Sequence, residues 1–317
     1  MVDHNEGLIT HLSSAFGPHI GKMLLDPDII EIMLNPDGKL WGDNIKTGRY
    51  NTNIDISPGD SLRIIQLVAY HLNAECHETN PIISAELPGS GSRFQGMIPP
   101  VVQKPTFTIR KKAIQIFTLD QYVQTGIMTL HEQQTIINAV KSKQNILVIG
   151  STGSGKTTLC NAILDEIAKT DSRIIIIEDT QELQCNALDN VCIRSNEENE
   201  KTTMQAALKS TMRLRPDRIV VGEVRDGAAA LALLDAWNTG HPGGLCTLHA
   251  DSAMKGLRRI ESLCQRAVTG QIDRETIAEA INLAIFICKT PKGRKVKEII
   301  QIHGYENGKY IFTSKNE

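Results

Sequence analysis

The spacing of apolar residues changes along the chain, and the first third carries the pattern of strands joined by tight turns. The apolar run Ile29–Leu34 is followed by Asn-Pro-Asp-Gly, a cluster typical of a turn, and then by Lys39–Trp41. The runs Ile82–Leu87 and Arg93–Ile98 flank a second turn cluster, which is rich in Gly and Ser. Runs of this length with turn residues between them predict two β-hairpins.

One helix and one more strand complete the pattern of the first third. Pro58-Gly59-Asp60 opens a stretch in which apolar residues recur at helical spacing, namely Leu62, Ile65, Val68, Ala69 and Leu72. Phe107–Arg110 has the character of a strand. We therefore predict an N-terminal α+β domain over residues 1–117, a linker over residues 118–130 and a second domain over residues 131–317.

From about residue 129 onward, strand-like and helix-like segments alternate. The apolar runs Asn145–Ile149, Ile174–Ile177 and Arg218–Val221 are short and continuous, as in strands that are buried on both faces. Helical segments cover Thr158–Ala168, Met204–Met212 and Ala228–Trp237. Alternating strands and helices predict an α/β fold, in which a parallel sheet is flanked by helices.

Composition narrows the class of protein without naming its chemistry. Of the 317 residues, 41% are hydrophobic and 22% are charged, as in an ordinary globular chain, and the formal net charge is −2. A charge this close to neutral gives no whole-molecule attraction to nucleic acid, so we expect no direct sequence-specific nucleic-acid binding. No apolar run approaches the roughly 18 residues that a membrane-spanning helix requires.

The cysteines and the start of the chain indicate a cytoplasmic protein. The seven cysteines are scattered without a C-x-x-C pair, so we interpret them as reduced packing residues rather than as a disulfide framework or a zinc site. The first residues lack the basic and apolar regions of a signal peptide. Together these features predict a cytoplasmic location.

The octapeptide at residues 150–157 is the strongest chemical signal in the sequence. It reads Gly-Ser-Thr-Gly-Ser-Gly-Lys-Thr, fits G-x-x-x-x-G-K-[ST], and lies between a predicted strand and a predicted helix. Its glycines are expected to adopt left-handed backbone angles and to fold N–H groups around a polyphosphate. The alternative is a chance match in a glycine-rich turn. The candidate nucleotide-binding residues are Gly150, Ser151, Thr152, Gly153, Ser154, Gly155, Lys156, Thr157 and Thr158.

The motif assigns separate roles to its last two residues. Lys156 is expected to reach the β- and γ-phosphates, and Thr157 is expected to hold Mg²⁺. The start of the following helix adds partial positive charge. The guanine-specific N-K-x-D motif does not occur in the sequence, which favours ATP over GTP. We therefore predict ATP and Mg²⁺ as the ligands of this loop.

Acidic residues follow two of the predicted parallel strands. Glu178 and Asp179 come after Ile174–Ile177, and Glu223 follows Gly222, which stands where the second acidic motif of phosphate-loop ATPases usually has an aspartate. In a doubly wound sheet, ligands bind beyond the carboxyl ends of the strands. Glu223 is our candidate catalytic base, and Glu178 and Asp179 are candidates for the metal side of the site. The alternative is that these carboxylates are solvated or cap the next helix.

A histidine and several arginines supply the remaining candidate groups. His249 follows a short strand-like segment, where a histidine can hydrogen-bond a γ-phosphate. Arginine suits developing phosphate charge because its guanidinium forks over two oxygens. The alternative is that these side chains have no role in the site and that the arginines are solvated surface charges. The arginines in question are Arg93, Arg110, Arg213 and Arg215, and Arg225 follows Glu223.

Four segments that occur in this order resemble the secretion and pilus traffic ATPases. They are Gly150–Thr157, Ile177–Thr180, Arg213–Asp226 and Thr247–Ala250. The N-terminal segment Leu25–Ile32 and the Ser-Arg-Phe at residues 92–94 make the chain most similar to the type IV secretion branch. The resemblance covers essentially the whole chain.

This resemblance implies a fold, an assembly and a task. The fold would be a RecA-like P-loop NTPase domain preceded by a smaller, PAS-like α+β domain. The chain would form a ring-shaped homohexamer with ATP between its two domains, and domain movement would drive a conjugative type IV secretion apparatus in the inner membrane. The protein would then be a cytoplasmic ATPase that is peripherally associated with that membrane.

The resemblance also implies roles for individual residues. Lys156 and Thr157 would be the phosphate-loop residues, Glu178 and Asp179 the acidic box, Glu223 the catalytic acid and His249 the histidine box. Arg93 and Arg110 would be phosphate-contacting arginines of the first domain. Arg213 and Arg215 would match the arginines that precede the second acidic strand.

Other functions stay open at this point. A type IV pilus or type II secretion motor has a similar core, although type II motors usually carry a four-cysteine zinc element that this sequence lacks. A nucleic-acid translocase would call for a basic, aromatic stripe, which is also missing. A nucleotide switch that barely hydrolyses ATP is disfavoured by Glu223.

A basic run near the end of the chain has two interpretations. It consists of Lys292, Arg294, Lys295 and Lys297. We interpret it as a solvated hairpin, and the alternative is peripheral contact with anionic lipid of the inner membrane.

Overall fold

The computed structural model describes residues 16–71, 74–88, 90–112, 116–197, 199–291 and 293–315. These residues fall into two compact units, which divide the chain after residue 114. Each unit has its own sheet, and among the described residues the first unit has one apolar core and the second has two. Within the described ranges, no helix combines the length and apolar character that crossing a membrane requires.

The first unit is built on a six-stranded antiparallel sheet in the order β3-β2-β1-β6-β5-β4. Both hairpins predicted from the sequence are confirmed as the pairs β1–β2 and β4–β5. The elements are the helical residues 16–25 (α1), β1 Ile29–Leu34, β2 Lys39–Asn44, β3 Gly48–Asp55, α2 Pro58–His71, β4 Ile82–Glu86, β5 Arg93–Met97 and β6 Thr106–Arg110.

One face of this sheet is apolar and the other is polar. Ile32, Leu34, Phe94 and Ile109 are buried in a core that includes residues of both helices. The buried side of α2 differs from the predicted stripe, because Ile64 belongs to it whereas Leu62 is only partly buried. Leu72, which was predicted on the same face, lies outside the described residues.

The second unit is built on an eight-stranded sheet in the order β14-β13-β12-β7-β11-β10-β8-β9. The strands from β12 to β9 in this order are parallel, and β12, β13 and β14 form an antiparallel meander. The elements are α3 Leu119–Gln124, α4 Leu130–Lys141, β7 Ile146–Ile149, α5 Lys156–Ala168, β8 Ile174–Glu178, β9 Asn190–Arg194, α6 Met204–Thr211, β10 Arg218–Val221, α7 Gly227–Asn238, β11 Leu245–Leu248, α8 Ala253–Ala267, α9 Arg274–Ala280, β12 Leu283–Thr290, β13 Gly293–Glu306 and β14 Lys309–Ser314.

The parallel strands are buried on both faces, as their continuous apolar runs predicted. Leu147 and Ile149 of β7 belong to a core that includes α6, α7 and α8. Ile146 and Val148 of the same strand belong to a second core, which includes α3, α4 and α5. Successive side chains of a strand point to opposite faces, so an unbroken apolar run is required when helices cover both. The predicted α/β class is therefore confirmed.

Residues 118–130, which the sequence suggested as a linker, lie in the second unit. They contain α3, which begins with a capping box between Thr118 and Gln121. Leu119, Tyr122 and Met128 are buried in the same core as α5. This packing fixes the segment that leads into the parallel sheet.

Candidate active site

The carboxyl edge of the parallel strands gathers most of the predicted site. The phosphate loop follows β7, Glu178 ends β8, Glu223 follows β10 after one glycine, and His249 follows β11 directly. Since β7, β11, β10 and β8 are adjacent and parallel, their carboxyl ends lie side by side. The sequence-predicted strand ends therefore converge on one edge.

The glycines of the loop are required for two different reasons. Gly153 and Gly155 have φ angles of 71° and 100°, and Gly155 is the N-cap of α5. The predicted left-handed conformation is wrong for Gly150, which is absent from the positive-φ residues. A Cβ on Gly150 would instead lie 2.4 Å from both the carbonyl oxygen of Ile287 and Oγ of Ser154. Close packing rather than backbone angle excludes a side chain there.

Lys156 is held over the loop by backbone oxygens. Its side chain is the first of α5 and is only 8% exposed. Its Nζ donates to the carbonyl oxygens of Gly150 and Ser151, both at 3.1 Å. It also lies 3.3 Å from Nδ1 of His249. The loop thus keeps its own cation beside the histidine that directly follows β11.

Ser154 offers a hydroxyl that suits a phosphate oxygen. Its Oγ is buried and makes no hydrogen bond to any of the described residues. A buried hydroxyl without a partner costs free energy, which an acceptor bound in the loop would recover. Together with the left-handed glycines, this donor makes the loop fit a polyphosphate.

Thr157 contacts a carboxylate that the sequence interpretation missed. Its hydroxyl lies 3.3 Å from Oε2 of Glu182, in the loop after β8. Among the described residues, no group of three or more His, Cys, Asp or Glu side chains is arranged to hold a metal ion. Mg²⁺ at a nucleotide site needs few protein ligands, because phosphate oxygens and water supply the rest. The hydroxyl of Thr157 and the carboxylate of Glu182 fit that requirement.

Glu178 is a buried carboxylate that hydrogen-bonds the backbone of the loop after β8. It is 4% exposed, and its Oε1 accepts hydrogen bonds from the backbone N–H groups of Glu182 and Leu183, at 3.1 and 3.0 Å. Gly222 makes room for this side chain, since a Cβ there would lie 2.8 Å from Cγ of Glu178. Glu178 therefore positions the loop that carries Glu182. The metal-side roles predicted for Glu178 and Asp179 stay predictions.

Glu223 lies between a histidine and an arginine. Its Oε1 is 2.9 Å from Nε2 of His249. Its Oε2 accepts hydrogen bonds from Nε and Nη2 of Arg225, at 3.1 and 2.8 Å. The tautomer of His249 that carries its proton on Nε2 donates to Glu223 and accepts from Lys156, so it satisfies both contacts. Lys156, His249 and Glu223 thus form one connected polar chain.

Arg225 extends this chain to Asp179. Its Nη1 donates to Oδ2 of Asp179 while its other nitrogens bind Glu223. Burial lowers the pKa of the Arg225 guanidinium, but hydrogen bonds and charge from Glu223 and Asp179 outweigh burial, so the net shift is upward. Arg225 is therefore a cation that links Asp179, after β8, to Glu223, after β10. In the sequence, its position two residues after Glu223 is the feature that points to the site.

Arg213 and Arg215 lie away from the loop of their own chain. They precede β10, and the backbone oxygen of Leu214 between them accepts from Arg173, which precedes β8. Residues before parallel strands lie at the amino edge of the sheet, opposite the carboxyl edge. Both side chains are exposed. The structure therefore does not bring these two arginines to the other predicted residues of the second unit.

Arg93 and Arg110 are direct neighbours in the first unit. They pair across β5 and β6, so both side chains are on the polar face of the sheet. Carboxylates flank the pair, because Glu86 is opposite Arg93 and Glu31 is opposite Arg110. Burial raises the pKa of Glu31, while the charge of Arg110 acts to lower it. Two adjacent guanidinium groups therefore lie between two acidic side chains, and the phosphate contact predicted for Arg93 and Arg110 stays a prediction.

Comparison with known proteins agrees with this geometry. The family described as "Type II/IV secretion system protein" matches residues 63–303. The "Probable conjugal transfer protein TrbB" of Sinorhizobium fredii is 47% identical, over 97% of this chain and 93% of that protein. The "Type IV secretion system protein VirB11" of Bartonella henselae is 31% identical, over 88% of this chain and 90% of that protein.

A solved structure supports the fold. The ATPase DotB of Legionella pneumophila superposes with a TM-score of 0.65 at 20% sequence identity, and the match covers 88% of this chain and 79% of that one. The predicted architecture, a RecA-like domain after a smaller N-terminal α+β domain, is confirmed. By both the matched family and its close relatives, the chain belongs to the type II/IV secretion system protein family, in its type IV secretion branch.

Proposed function

We propose that the protein is an ATPase that powers a conjugative type IV secretion system. The observation that carries the proposal is the connected chain from the phosphate loop through Lys156 and His249 to Glu223. A loop that binds phosphate and a carboxylate that can activate water are the two minimal parts of ATP hydrolysis. Here one histidine joins them directly.

Within this site each residue has a separate role. The loop and Lys156 bind the phosphates, and Glu223 orients and deprotonates the attacking water. His249 contacts Lys156 and Glu223, so its position depends on both residues. It can therefore transmit the presence of a γ-phosphate at Lys156 to the catalytic base. Arg225 fixes Glu223, and Arg93 and Arg110 are proposed phosphate contacts.

Mg²⁺ is the proposed metal. Thr157 and Glu182 would hold it, the latter through water, and Glu178 positions Glu182 through the backbone. When bound, the ion neutralises phosphate charge. The buried hydroxyl of Ser154 then completes the donors that face the nucleotide.

The transport task comes from the named relatives. The TrbB relative is a conjugal transfer protein and the VirB11 relative belongs to a type IV secretion system. We propose that this chain acts in the same kind of apparatus, as a homohexamer on the cytoplasmic side of the inner membrane. Sedimentation with Mg·ATP is expected to show a species of six chains, and a monomer alone would contradict the ring.

Peripheral membrane association would follow from binding the apparatus. The protein is then expected to pellet with membranes only when the membrane subunits of the system are co-expressed. Pelleting without them would indicate direct lipid contact instead.

The central test compares three variants for ATP turnover and ATP binding. Lys156→Ala is expected to abolish turnover, and Glu223→Gln is expected to bind ATP and to lower kcat by about 10²-fold or more, the usual effect of losing a general base. Glu279→Gln is a matched control, because Glu279 is exposed on α9. Full turnover in Lys156→Ala would remove the loop assignment, and wild-type turnover in Glu223→Gln would remove Glu223 as the base.

The first-unit arginines need their own variant. Arg110→Ala is expected to lower turnover while the protein stays folded. An unchanged kcat in that variant would leave Arg110 with a structural role only.

A further inference from the structure

The β12–β13 hairpin extends past the sheet edge at which the phosphate loop lies. Strand β12 runs parallel to β7, and Phe286 pairs with Ile149, the last residue of β7. β12 continues to Thr290, and β13 then returns alongside it. The hairpin therefore reaches beyond β7 on the side where the loop begins.

The loop packs directly against this hairpin. A Cβ on Gly155 would lie 2.9 Å from Cδ and 3.2 Å from Nε of Arg294, and 3.6 Å from Cδ1 of Ile287. Gly150 meets the backbone oxygen of Ile287 in the same way. The stem of Arg294 thus covers Gly155, the residue that caps α5 at its N-terminus. The sequence interpretation had placed Arg294 only in a solvated basic run, of which Lys292 lies outside the described residues.

Arg294 carries a donor without an acceptor. Its Nε is buried and makes no hydrogen bond within the described part of the chain. Ser154, in the loop beside Gly155, has a buried hydroxyl in the same condition. Leaving a buried donor unpaired is costly, and more so for a charged group. Two such donors at one phosphate loop indicate a shared anionic ligand.

The order of the strands gives this ligand a direction. β11 and β10, which lead to His249 and Glu223, lie on one side of β7, whereas β12 and β13 lie on the other. If the γ-phosphate faces Glu223, the other end of the nucleotide faces the hairpin. This step rests on the proposed function.

We propose that Arg294 is a nucleotide-binding residue that contacts the α-phosphate end of ATP and of ADP. A contact at that end is made equally before and after hydrolysis. Arg294 is then a binding residue and not a catalytic one, because it touches no reacting atom. The two nucleotides should lose affinity by the same factor when it is removed.

The test measures the dissociation constants of ATP and ADP, with Mg²⁺, by titration calorimetry on the full chain. Arg294→Met keeps an unbranched stem over Gly155 and removes the charge. We expect Kd to rise about tenfold for both nucleotides, as the loss of a charge-assisted hydrogen bond implies. KM for ATP should rise by a similar factor with kcat nearly unchanged. Arg294→Lys, which keeps the charge but not the fork, should restore part of the affinity.

Lys297→Met is the matched control, because Lys297 is an exposed cation on the same strand. It should leave both Kd values unchanged, and a loss equal to that of Arg294→Met would mean a diffuse charge effect and overturn the contact. An unchanged Kd for ADP in Arg294→Met, or a loss for ATP alone, would overturn it as well. If Arg294→Met melts early, Arg294→Lys decides, since wild-type affinity there contradicts a forked contact.

The outcome also separates this inference from the proposed function. A wild-type protein that binds neither nucleotide would remove both. A wild-type protein that binds and hydrolyses ATP, together with an Arg294→Met variant of equal affinity, would remove the inference and leave the function standing.

Discussion

At the scale of single residues, Glu178 is a predicted metal-side residue whose carboxylate hydrogen-bonds the protein backbone. One of its oxygens accepts two backbone N–H groups of the loop after β8. Glu178→Ala would leave the buried N–H of Leu183 without this acceptor, whereas the N–H of Glu182 also donates to the carbonyl oxygen of Thr180. We therefore expect the free energy of unfolding to fall by about 1–3 kcal/mol. Chemical denaturation monitored by circular dichroism measures this change.

Glu178→Gln is the informative control for that prediction. A glutamine keeps an acceptor oxygen and loses the charge, so stability close to wild type is expected, with most of the turnover retained. A glutamine variant that is fully stable but inactive would instead support the metal-side role predicted from the sequence.

At the scale of elements, the polar face of the first sheet carries one row of charge across all six strands. Cross-strand partners share a face, and the row follows the strand order. Its members are Arg49, Asp43, Glu31, Arg110, Arg93 and Glu86. The proposed phosphate-contacting pair is therefore embedded in acids on both sides, which hold the two like charges together.

Glu31 gives this row a pH dependence. Its pKa is raised above 4.5, chiefly by burial and also by Asp43, against the opposing charge of Arg110. A carboxyl group with a raised folded pKa contributes stability below its unfolded pKa, and this contribution is lost as pH rises through the folded pKa. Glu31→Gln should thus be as stable as wild type or more so near about pH 7, with a flatter profile between acid and neutral pH.

Thermal melts of the wild type and Glu31→Gln across that range measure the effect. Glu78→Gln is a suitable control, because Glu78 is an exposed carboxylate in the same unit. A Glu31→Gln protein that is clearly less stable at neutral pH would mean that attraction to Arg110 outweighs the cost of burial.

The same scale explains which elements the sequence could predict. The central parallel strands are buried on both faces, so their apolar runs are continuous, and the hairpins of the first unit have clear turn residues. The sequence does not predict β9, because this edge strand mixes polar and apolar residues over Asn190–Arg194 and is only partly buried. The sequence predicts a linker over the residues of α3, although Thr118 and Gln121 have the spacing of a capping box.

The site was predictable to the extent that strand ends define it. Residues after parallel strands share one edge, so the grouping of Lys156, Glu223 and His249 followed from the strands alone. Glu182 lies in the loop after β8, and Arg294 lies on the β12–β13 hairpin. Both contact the phosphate loop because of how these segments fold back, and the spacing of apolar residues does not predict such contacts. Arg213 precedes β10, so the sequence also predicts that it lies at the amino edge of the sheet, away from the phosphate loop.

At the scale of the whole molecule, the positions of Arg213 and Arg215 bear on whether they act at the nucleotide site of their own chain or of a neighbouring chain in the proposed ring. They are separated from the carboxyl edge by the length of β10, roughly 13 Å for four strand residues. That distance, added to the offset between β10 and β7, exceeds the reach of an arginine side chain. If these arginines contact the nucleotide as the family resemblance implies, they contact that of a neighbouring copy in the proposed ring.

Mixed rings test this prediction. Arg213→Ala/Arg215→Ala has an intact loop and should turn over ATP slowly, and Lys156→Ala has intact arginines and should be inactive. Co-expressed in equal amounts, they should recover about a quarter of wild-type turnover, since half of the loops are intact and half of those face an intact pair. No recovery would mean that the arginines do not act across copies, and full activity of the double arginine variant alone would mean that they have no part in turnover. Recovery requires that two copies share one site, so it would also make the isolated monomer an incomplete enzyme.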